Sequence, residues 1–572
     1  MERRPDEEHD AVCNSDARHQ LIVAPPGTGK THLSVRLAAQ RVQELPPGAS
    51  VLLLTFSNQA RTQLEAEAAR QITSELRKRI EVSNYHRFFW HAVRAFRRSL
   101  NLPMDIDIGS TNRRKTALER IDRVAVAQIA GESSLIACLA EHRFQEFQDD
   151  RTPDMAALTR LLGGIRSELE AGRLVFDDLG ALFWELVRKF PTIGDAYRRK
   201  YPIVIADEHQ DASGLQDAVV RELGSSRLTV FADPMQLIHG YRGAHADRLE
   251  AHRVDCDQEL TLSTPHRWHG QEIIALWLLS VRAGLSGQRN RPRVPESVQI
   301  DRTNPQHGIG AVKPRVRNAI SRAFRGGASR VAVLTRTNSQ ANEIRNYLCR
   351  QGLHPHQIGG PDFEDARTEI EQLPLLNDPQ SVALQALARI AELAPTLRPQ
   401  IQTQVRQRLE LNRVRTDRAG ADAAIVLAGL ERIYEDGRAA YFEAIQLALD
   451  GLSASGHHLP RKEAVVTIRS TASAIDPSAV SLSDALKDYS ARVLSAAHSA
   501  NRTSNGLYVM TVHQAKGKEF DSIIICDVSA RFYPDNEESR QLLYVAVTRA
   551  STAWTIIAPT EGASPLLAYL GL

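Results

Sequence analysis

Short apolar runs alternate with helical stretches in two parts of the chain. In the first part the apolar runs are His19–Val23, Val51–Phe56, Ile203–Ala206 and Leu228–Ala232. In the second part they are Val331–Thr335, Leu507–Thr511, Ile523–Val528 and Trp554–Ala558. Apolar runs of this length, separated by segments with helical periodicity, are typical of parallel strands covered by helices. The pattern therefore predicts an α/β protein with two parallel-sheet cores.

Two long segments with a mainly helical pattern interrupt these cores. We expect the first core to comprise residues 1–88 and 197–264, with a helical insertion at 89–196. We expect the second core to comprise residues 265–362 and 503–572, with a reduced helical insertion at 363–502. The stretch Leu285–Gln306 is rich in Arg and Pro and has little apolar periodicity, which predicts an irregular connection.

Composition adds little to this picture but argues against several classes of protein. The chain has 572 residues, enough for about three or four structural units. Its formal net charge is only +3, so any DNA-binding surface must come from local basic patches. The 5 cysteines are far apart without a CxxC pair, which argues against a zinc site or a disulfide framework and favours a reducing compartment. The acidic N-terminus lacks the apolar segment of a signal peptide, and no apolar run could span a bilayer, so we expect a cytoplasmic protein.

A phosphate-binding loop follows the first predicted strand. The pattern is G-x-x-x-x-G-K-[S/T], with Ala24 in place of the first glycine. Gly27 and Gly29 allow backbone N–H groups to turn toward phosphate oxygens, and Lys30 supplies a positive charge at the β- and γ-phosphates. The hydroxyl of Thr31 is suited to Mg²⁺. The predicted nucleotide-binding residues are Ala24, Pro25, Pro26, Gly27, Thr28, Gly29, Lys30, Thr31 and His32.

A carboxylate pair follows the strand Ile203–Ala206. Asp207 is the candidate second ligand of Mg²⁺, and Glu208 is the candidate that orients or deprotonates the attacking water. Taken alone, such a pair is more often a solvated acidic turn. The preceding P-loop favours the catalytic interpretation, and the absence of an NKxD motif favours ATP over GTP.

Further motifs occur in a fixed order along both predicted cores. They are Thr55–Ala60, Asn84–His86, Asp207–Asp211, Asp233–Ala244, Pro265–Arg267, Thr511–Phe520 and Leu543–Ala550. Together with the P-loop they resemble the motifs of the UvrD/Rep/PcrA branch of superfamily 1 helicases, over both cores but not over the insertions. The resemblance implies that the two cores have the RecA-like fold and that ATP binds between them with Mg²⁺.

The resemblance also implies roles at the ATP site. Gln236 would sense the γ-phosphate, and two arginines of the second core would reach it as arginine fingers. His266 would stack on adenine, where the family has Tyr, and Glu519 would contact the ribose. The family's adenine-reading Gln would fall near Glu8, where this chain has none. The predicted catalytic residues are thus Lys30, Glu208, Gln236, Arg267 and Arg549.

A second set of positions matches the family's contacts with single-stranded DNA. Tyr241 replaces the usual Trp, which keeps a smaller platform for base stacking, an interaction of about 1–3 kcal/mol per base. The predicted DNA-binding residues are Thr55, Phe56, Asn58, His86, His239, Tyr241, Arg242, His513 and Lys516.

The implied function is an ATP-dependent translocase or helicase that moves 3′→5′ on single-stranded DNA and acts at duplex junctions. Two alternatives stay open: a nucleotide-gated DNA-sensing subunit that regulates a partner nuclease without processive unwinding, and a motor that acts on RNA. The compact architecture resembles helicase subunits of defence systems such as Gabija, which work with a separate nuclease, whereas a DNA-repair helicase fits the motifs equally well.

Basic residues in the insertions support two interpretations. They either contact duplex phosphates or form solvated helix faces paired with nearby acidic residues. The residues are Arg94, Arg97, Arg98, Arg113, Arg114, Lys115, Arg406, Arg408, Arg413, Arg415 and Arg418.

Overall fold

A computed structural model describes most of the chain. The described residues are 7–104, 106–108, 111–129, 155–238, 244–288, 292–304, 308–353, 355, 378–394, 397–411, 420–436, 440–457 and 506–572. The chain forms two compact units, of which the first comprises Met1–His356 with Asn505–Leu572 and the second Gln357–Ser504. Within the described ranges, no helix combines the length and apolar character needed to cross a bilayer.

The described residues contain the following strands and helices, given in chain order. The strands are β1 (His19–Val23), β2 (Val51–Thr55), β3 (Ile80–Asn84), β4 (Asp107–Ile108), β5 (Arg173–Leu174), β6 (Ile203–Ala206), β7 (Arg227–Ala232), β8 (Gln258–Thr261), β9 (Val298–Thr303), β10 (Arg330–Thr335), β11 (Gly506–Thr511), β12 (Phe520–Ile525) and β13 (Ala550–Pro559). The helices are α1 (Glu7–Cys13), α2 (Lys30–Arg41), α3 (Asn58–Gln71), α4 (Ser74–Arg77), α5 (Tyr85–Ala95), α6 (Thr111–Ile129), α7 (Met155–Glu170), α8 (Phe176–Lys189), α9 (Pro191–Lys200), α10 (Gly214–Leu223), α11 (Ala246–Asp255), α12 (Glu272–Leu285), α13 (Gly308–Arg325), α14 (Asn338–Arg350), α15 (Pro379–Leu393), α16 (Pro399–Glu410), α17 (Ala421–Asp436), α18 (Tyr441–Ala454), α19 (Val512–Ala515), α20 (Glu537–Val547) and α21 (Leu567–Leu570).

The first sheet has six parallel strands in the order β3-β2-β6-β7-β1-β8. The inner strands are apolar because helices cover both faces of the sheet, and two hydrophobic clusters lie on those faces. All carboxyl ends of parallel strands lie along one edge, where loops after β1, β6 and β7 can meet. That edge carries the P-loop, the Asp207-Glu208 pair and Asp233.

The second sheet has five parallel strands in the order β11-β10-β12-β13-β9. Together with the first sheet it confirms the prediction of an α/β protein with two parallel-sheet cores. Strand β9 lies inside the stretch Leu285–Gln306, so the prediction that this whole stretch is irregular was wrong. Strands β3 and β8 were also missed, as were the short strands β4 and β5. The three missed strands of the two large sheets, β3, β8 and β9, lie at sheet edges.

Several motif residues begin the helices that follow these strands. The side chain of Ser57 accepts a hydrogen bond from the backbone N–H of Ala60 and caps α3. Asn84 caps α5 in the same way, and Thr511 forms a reciprocal capping box with Gln514 at α19. Part of each motif therefore fixes the turn from strand to helix.

The described residues between β3 and β6 form mainly helices, with one short parallel pair, β4 and β5. Arg114 in this region is buried, and its guanidinium binds both carboxylate oxygens of Asp178 at 3.1 and 2.7 Å. Arg114 is therefore neither a phosphate contact nor part of a solvated face. In the second unit, helices α15–α18 enclose a separate hydrophobic cluster.

Candidate active site

The P-loop of this structure connects β1 to α2 through two glycines with left-handed backbone. Gly27 has φ 81° and Gly29 has φ 79°, backbone angles that residues with a Cβ rarely adopt. A Cβ on Gly27 would lie 2.7 Å from Cζ3 of Trp268, so space as well as backbone conformation requires glycine there. Helix α2 begins at Lys30, which directs its first N–H groups and its dipole toward the loop.

Lys30 lies beside the carboxylate pair at the end of β6. Its ammonium donates a hydrogen bond to Glu208 and lies 3.9 Å from Oδ1 of Asp207. Burial opposes the charge of Lys30, but the two carboxylates outweigh it and raise the Lys30 pKa. Burial also opposes ionisation of Glu208, yet Lys30 and Lys516 hold the Glu208 pKa well below its usual range. Glu208 is therefore a carboxylate at neutral pH.

Glu208 also has an unusual backbone. Its φ of 54° and ψ of 36° place it in the left-handed region, which costs a residue with a Cβ roughly 1–2 kcal/mol. Such strain persists where the surroundings fix the conformation, and it concentrates at functional sites. Here Gln210 donates a hydrogen bond of 2.6 Å to the Glu208 carboxylate. The strained turn thus points the carboxylate toward Lys30.

Asp207 and Thr31 fit a magnesium ion. Oδ1 of Asp207 is buried and accepts no hydrogen bond from the described residues, so it is suited to a cation ligand. Burial, together with the neighbouring Glu208 carboxylate, raises the Asp207 pKa to about 6, although Lys30 lowers it. The hydroxyl of Thr31 is carried by the first turn of α2. Both are oxygen donors, the ligands that Mg²⁺ prefers.

A buried hydrogen-bond chain leads from Glu208 toward the second sheet. Oε1 of Gln210 accepts from the backbone N–H of Asp233 at 3.1 Å, and Gln236 donates to the Asp233 carboxylate at 2.9 Å. Arg282, on α12, donates to the same carboxylate at 2.7 Å. Sequence reasoning missed Arg282, because nothing near it in the sequence resembles a motif. Its hydrogen bond to the hydroxyl of Tyr544, at 3.0 Å, joins Asp233 to helix α20.

Arg549, which directly precedes β13 of the second sheet, joins this series of hydrogen bonds. Its side chain is 3% exposed and donates to Oε1 of Gln236 at 3.3 Å. Two further hydrogen bonds of 2.9 Å hold the guanidinium to the carbonyl of Val545 and the hydroxyl of Thr548. Burial and the nearby Arg267 lower the Arg549 pKa to about 10. The guanidinium is still charged at neutral pH and lies next to the predicted γ-phosphate sensor.

Arg267 lies against the P-loop. Its backbone N–H donates to the carbonyl of Gly27 at 3.0 Å, and its guanidinium donates to the carbonyl of Thr548 at 2.9 Å. The guanidinium also forms an ion pair with Glu519. The structure thus brings both predicted arginine fingers to the side of the P-loop that faces the second sheet.

Histidines surround the other side of the loop at Gly29. Nε2 of His9 lies 3.0 Å from the carbonyl of Thr28, and the His9 ring centre lies 5.3 Å from that of His266 and 6.3 Å from that of His32. Sequence reasoning singled out His266 and His32 but missed His9. His9 could have been predicted from its position next to Glu8, near which the family's adenine-reading Gln would fall.

Glu8 has a different role. Its carboxylate accepts hydrogen bonds from the backbone N–H groups of Ser263 and Thr264 at 2.9 and 3.2 Å. It therefore fixes α1 against the segment that follows β8.

The predicted DNA-binding residues are only partly described. Lys516 is nearly buried and donates to the Asp211 carboxylate at 2.6 Å, which ties the second sheet to the end of β6. Burial, with Arg336 nearby, lowers the His513 pKa to about 4, so this histidine is neutral. His86 packs against Phe176 with ring centres 5.8 Å apart.

Other predicted DNA contacts have less structural detail. Thr55 ends β2 and is buried, and the partly buried Phe56 directly follows it. Asn58 begins α3, but its side chain lies outside the described part of the chain, as do His239, Tyr241 and Arg242.

Comparisons with known proteins agree with this geometry. A family model described as the UvrD/REP helicase N-terminal domain matches residues 5–257, and one described as the UvrD-like helicase C-terminal domain matches residues 506–557. The chain is 23% identical to the ATP-dependent DNA helicase PcrA of Staphylococcus aureus, over 93% of this chain and 80% of the relative. It is 25% identical to the ATP-dependent DNA helicase UvrD1 of Mycobacterium bovis, over 93% and 79%.

Proposed function

This chain belongs to the UvrD-like superfamily 1 helicases, a family of ATP-dependent DNA helicases, and we propose that it uses ATP hydrolysis to move along single-stranded DNA in the 3′→5′ direction. One observation carries the proposal. The P-loop and the acidic pair of the first sheet lie close to two arginines: Arg267, which follows β8, and Arg549, which directly precedes β13 of the second sheet. Gln236 donates to Asp233 of the first sheet and accepts from Arg549. A nucleotide held there would couple the two sheets.

In the proposed reaction, ATP takes Lys30 away from the carboxylates. The ammonium moves to the β- and γ-phosphates, and Glu208 is released to orient a water molecule and accept its proton. Asp207 and Thr31 would hold Mg²⁺, which neutralises charge on the phosphates when bound. Before ATP binds, Lys30 and Lys516 keep Glu208 ionised at neutral pH, so the carboxylate enters the reaction in its basic form.

Two arginines complete the site. Arg549 is already beside Gln236, whereas Arg267 must exchange its ion pair with Glu519 for the γ-phosphate. Glu519 would then be free to contact the ribose, and His9, His32 and His266 would surround the base. Loss of the γ-phosphate removes the ligand of the arginines and so weakens the contact between the two sheets.

The proposed DNA path follows the family's motifs. Thr55, Phe56, His86 and His513 would contact the strand, together with Asn58, His239, Tyr241 and Arg242. Lys516 reaches DNA in this proposal only after it leaves Asp211, which would couple DNA binding to the acidic turn that carries Glu208. If the two sheets bind the DNA strand tightly in turn during the ATP cycle, the DNA moves past them.

The first test measures ATP hydrolysis with and without single-stranded DNA. We expect strong stimulation in the wild type and a fall of about 10²–10⁴-fold in Glu208→Gln, the range for loss of a general base. The matched control is Glu250→Gln, an exposed glutamate on α11, which should keep full activity. Absence of hydrolysis in the wild type, with and without DNA, would refute the motor.

A second experiment separates unwinding from regulation. Strand displacement on duplexes with a 3′ tail, and none on duplexes with a 5′ tail, would support a 3′→5′ helicase acting at junctions. DNA-stimulated hydrolysis without displacement on either would instead indicate the regulatory subunit of a partner nuclease. Stimulation by RNA of equal length but not by DNA would indicate an RNA motor.

The proposal extends to the process served, either DNA repair or defence against phage. Deleting the gene separates them. Increased sensitivity to DNA damage would assign repair, and loss of phage resistance would assign defence.

A further inference from the structure

Next to the acidic turn lies a buried cluster that the ATP reaction does not use. His209, Asp217 and His252 come from the turn after β6, from α10 and from α11. His209 is 3% and His252 0% exposed. Nε2 of both histidines lies close to the same oxygen, Oδ1 of Asp217, at 2.9 and 2.6 Å, and the two nitrogens are 3.3 Å apart.

Three donors this close can share one ion. Zinc is bound by histidine nitrogen and carboxylate oxygen at about 2.0–2.2 Å. The three donor atoms are 2.6–3.3 Å from one another. A point just outside the plane of the three atoms therefore lies about 2.0–2.2 Å from each of them. Two imidazoles and one carboxylate form a donor set that suits zinc and its first-row neighbours better than Mg²⁺ or Ca²⁺.

The outer atoms of the cluster are arranged as in a metal site. A histidine that binds metal through Nε2 usually hydrogen-bonds through Nδ1 to a second residue, which fixes the ring. Nδ1 of His209 lies 3.0 Å from the hydroxyl of Tyr85, and Nδ1 of His252 lies 3.0 Å from Nε2 of His19. The remaining oxygen of Asp217 accepts from Arg221 at 3.0 Å. Each candidate ligand therefore has an orienting partner.

We propose that His209, Asp217 and His252 bind one divalent transition-metal ion, of which zinc is the best fit, with water as the fourth ligand and a role in stabilising the fold. The wide separation of the 5 cysteines speaks against zinc ligation by thiolates, and no cysteine takes part in this cluster. The ion would join the turn that carries Glu208 to α10 and α11. It is a different ion from the Mg²⁺ of the ATP site, with nitrogen rather than oxygen as the main donor.

The test is metal analysis of the full-length protein. After dialysis against metal-free buffer without nucleotide, the protein is loaded with Zn²⁺, desalted and measured by mass spectrometry. We expect about one zinc per chain, and a tetrahedral visible spectrum when Co²⁺ replaces Zn²⁺. Zinc should also raise the melting temperature of the wild type. A wild type that retains no stoichiometric zinc, and shows neither shift nor spectrum, would overturn the proposal.

Variants locate the ion. His252→Gln should lose the zinc, the Co²⁺ spectrum and the melting shift, whereas His245→Gln, an exposed histidine at the start of α11, should keep all three. Retention of zinc by a folded His252→Gln protein would overturn the proposal, because the ion would then lie elsewhere. These readouts do not depend on ATP or DNA, so they stand apart from the helicase proposal.

Discussion

At the residue scale, the most informative side chain is Arg549. A guanidinium is costly to bury unless hydrogen bonds replace its hydration, and here carbonyl, hydroxyl and amide oxygens do so. No carboxylate is hydrogen-bonded to it among the described residues, so its charge is solvated but not neutralised. A charged guanidinium that is hydrogen-bonded only to neutral oxygens is suited to bind an anion.

Replacing Arg549 with Lys should test this role. Lysine keeps the charge but cannot reproduce the planar set of donors. We expect the hydrolysis rate to fall by about 10³-fold or more, the range for an arginine finger, with a smaller change in ATP affinity. The measurement is single-turnover hydrolysis beside equilibrium binding of a fluorescent ATP analogue. Arg540→Lys, on α20 in an exposed pair with Asp535, is the control. Equal rates for both variants would contradict the role.

At the element scale, Gly27 of the P-loop can be compared with Gly48, which lies in the loop before β2. Gly27 and Gly48 both have positive φ, 81° and 88°, but a Cβ on Gly48 would meet nothing within 4 Å. We expect Gly48→Ala to cost only the backbone strain, about 1–2 kcal/mol. Gly27→Ala must also displace Trp268 and should abolish ATP binding. Melting temperatures and nucleotide titrations check both, and indistinguishable variants would show that the close approach is unimportant.

A buried ion pair between Lys516 and Asp211 is one of the contacts between the two sheets. The Lys516 and Asp211 side chains are 9% and 2% exposed, so removing one partner leaves a buried, unpaired charge. We expect Asp211→Ala or Lys516→Met to cost about 3–5 kcal/mol of stability, and the double variant to cost less than either. Denaturant unfolding of the four proteins measures the coupling. Asp535→Ala, which breaks an exposed pair, should cost at most about 1 kcal/mol. Additive losses would refute the pairing.

Sequence patterns predicted the inner strands better than the edges. Ile203–Ala206 is buried along its whole length and was predicted residue for residue. Strand β9 has only its first and last residues buried, and β8 has no buried residue, so neither has the apolar run that identifies a strand. Edge strands form because their neighbours supply the hydrogen-bond ladder, and that information is not local.

The site shows the same division. Motif residues such as Lys30 and Glu208 were found because their chemistry is encoded in consecutive positions. Arg282 was not, because its partners Asp233 and Tyr544 are distant in sequence and only the fold brings the three together. His9 likewise depends on the approach of α1 to the P-loop.

At the scale of the whole molecule, the second unit is inserted into a simple connection. Strand β10, helix α14 and strand β11 form a parallel β-α-β crossover, and the chain leaves between α14 and β11 to form Gln357–Ser504. All described residues of the second unit's hydrophobic cluster belong to α15–α18 and the loops between them. The described residues of three clusters in the first unit include none from these helices. Each unit thus has its own core.

Separate cores predict that the second unit can be removed. Every described residue of the ATP site lies in the first unit, so replacing Gln357–Ser504 with a short Gly/Ser linker should leave basal ATP binding and hydrolysis within a few-fold of the wild type. Melting curves and hydrolysis without DNA measure this, with Glu208→Gln in the shortened chain as the negative control. Strand displacement on tailed duplexes then reports what the second unit adds. A shortened chain that fails to fold would show that the first unit needs the second for stability, against the separation of their cores.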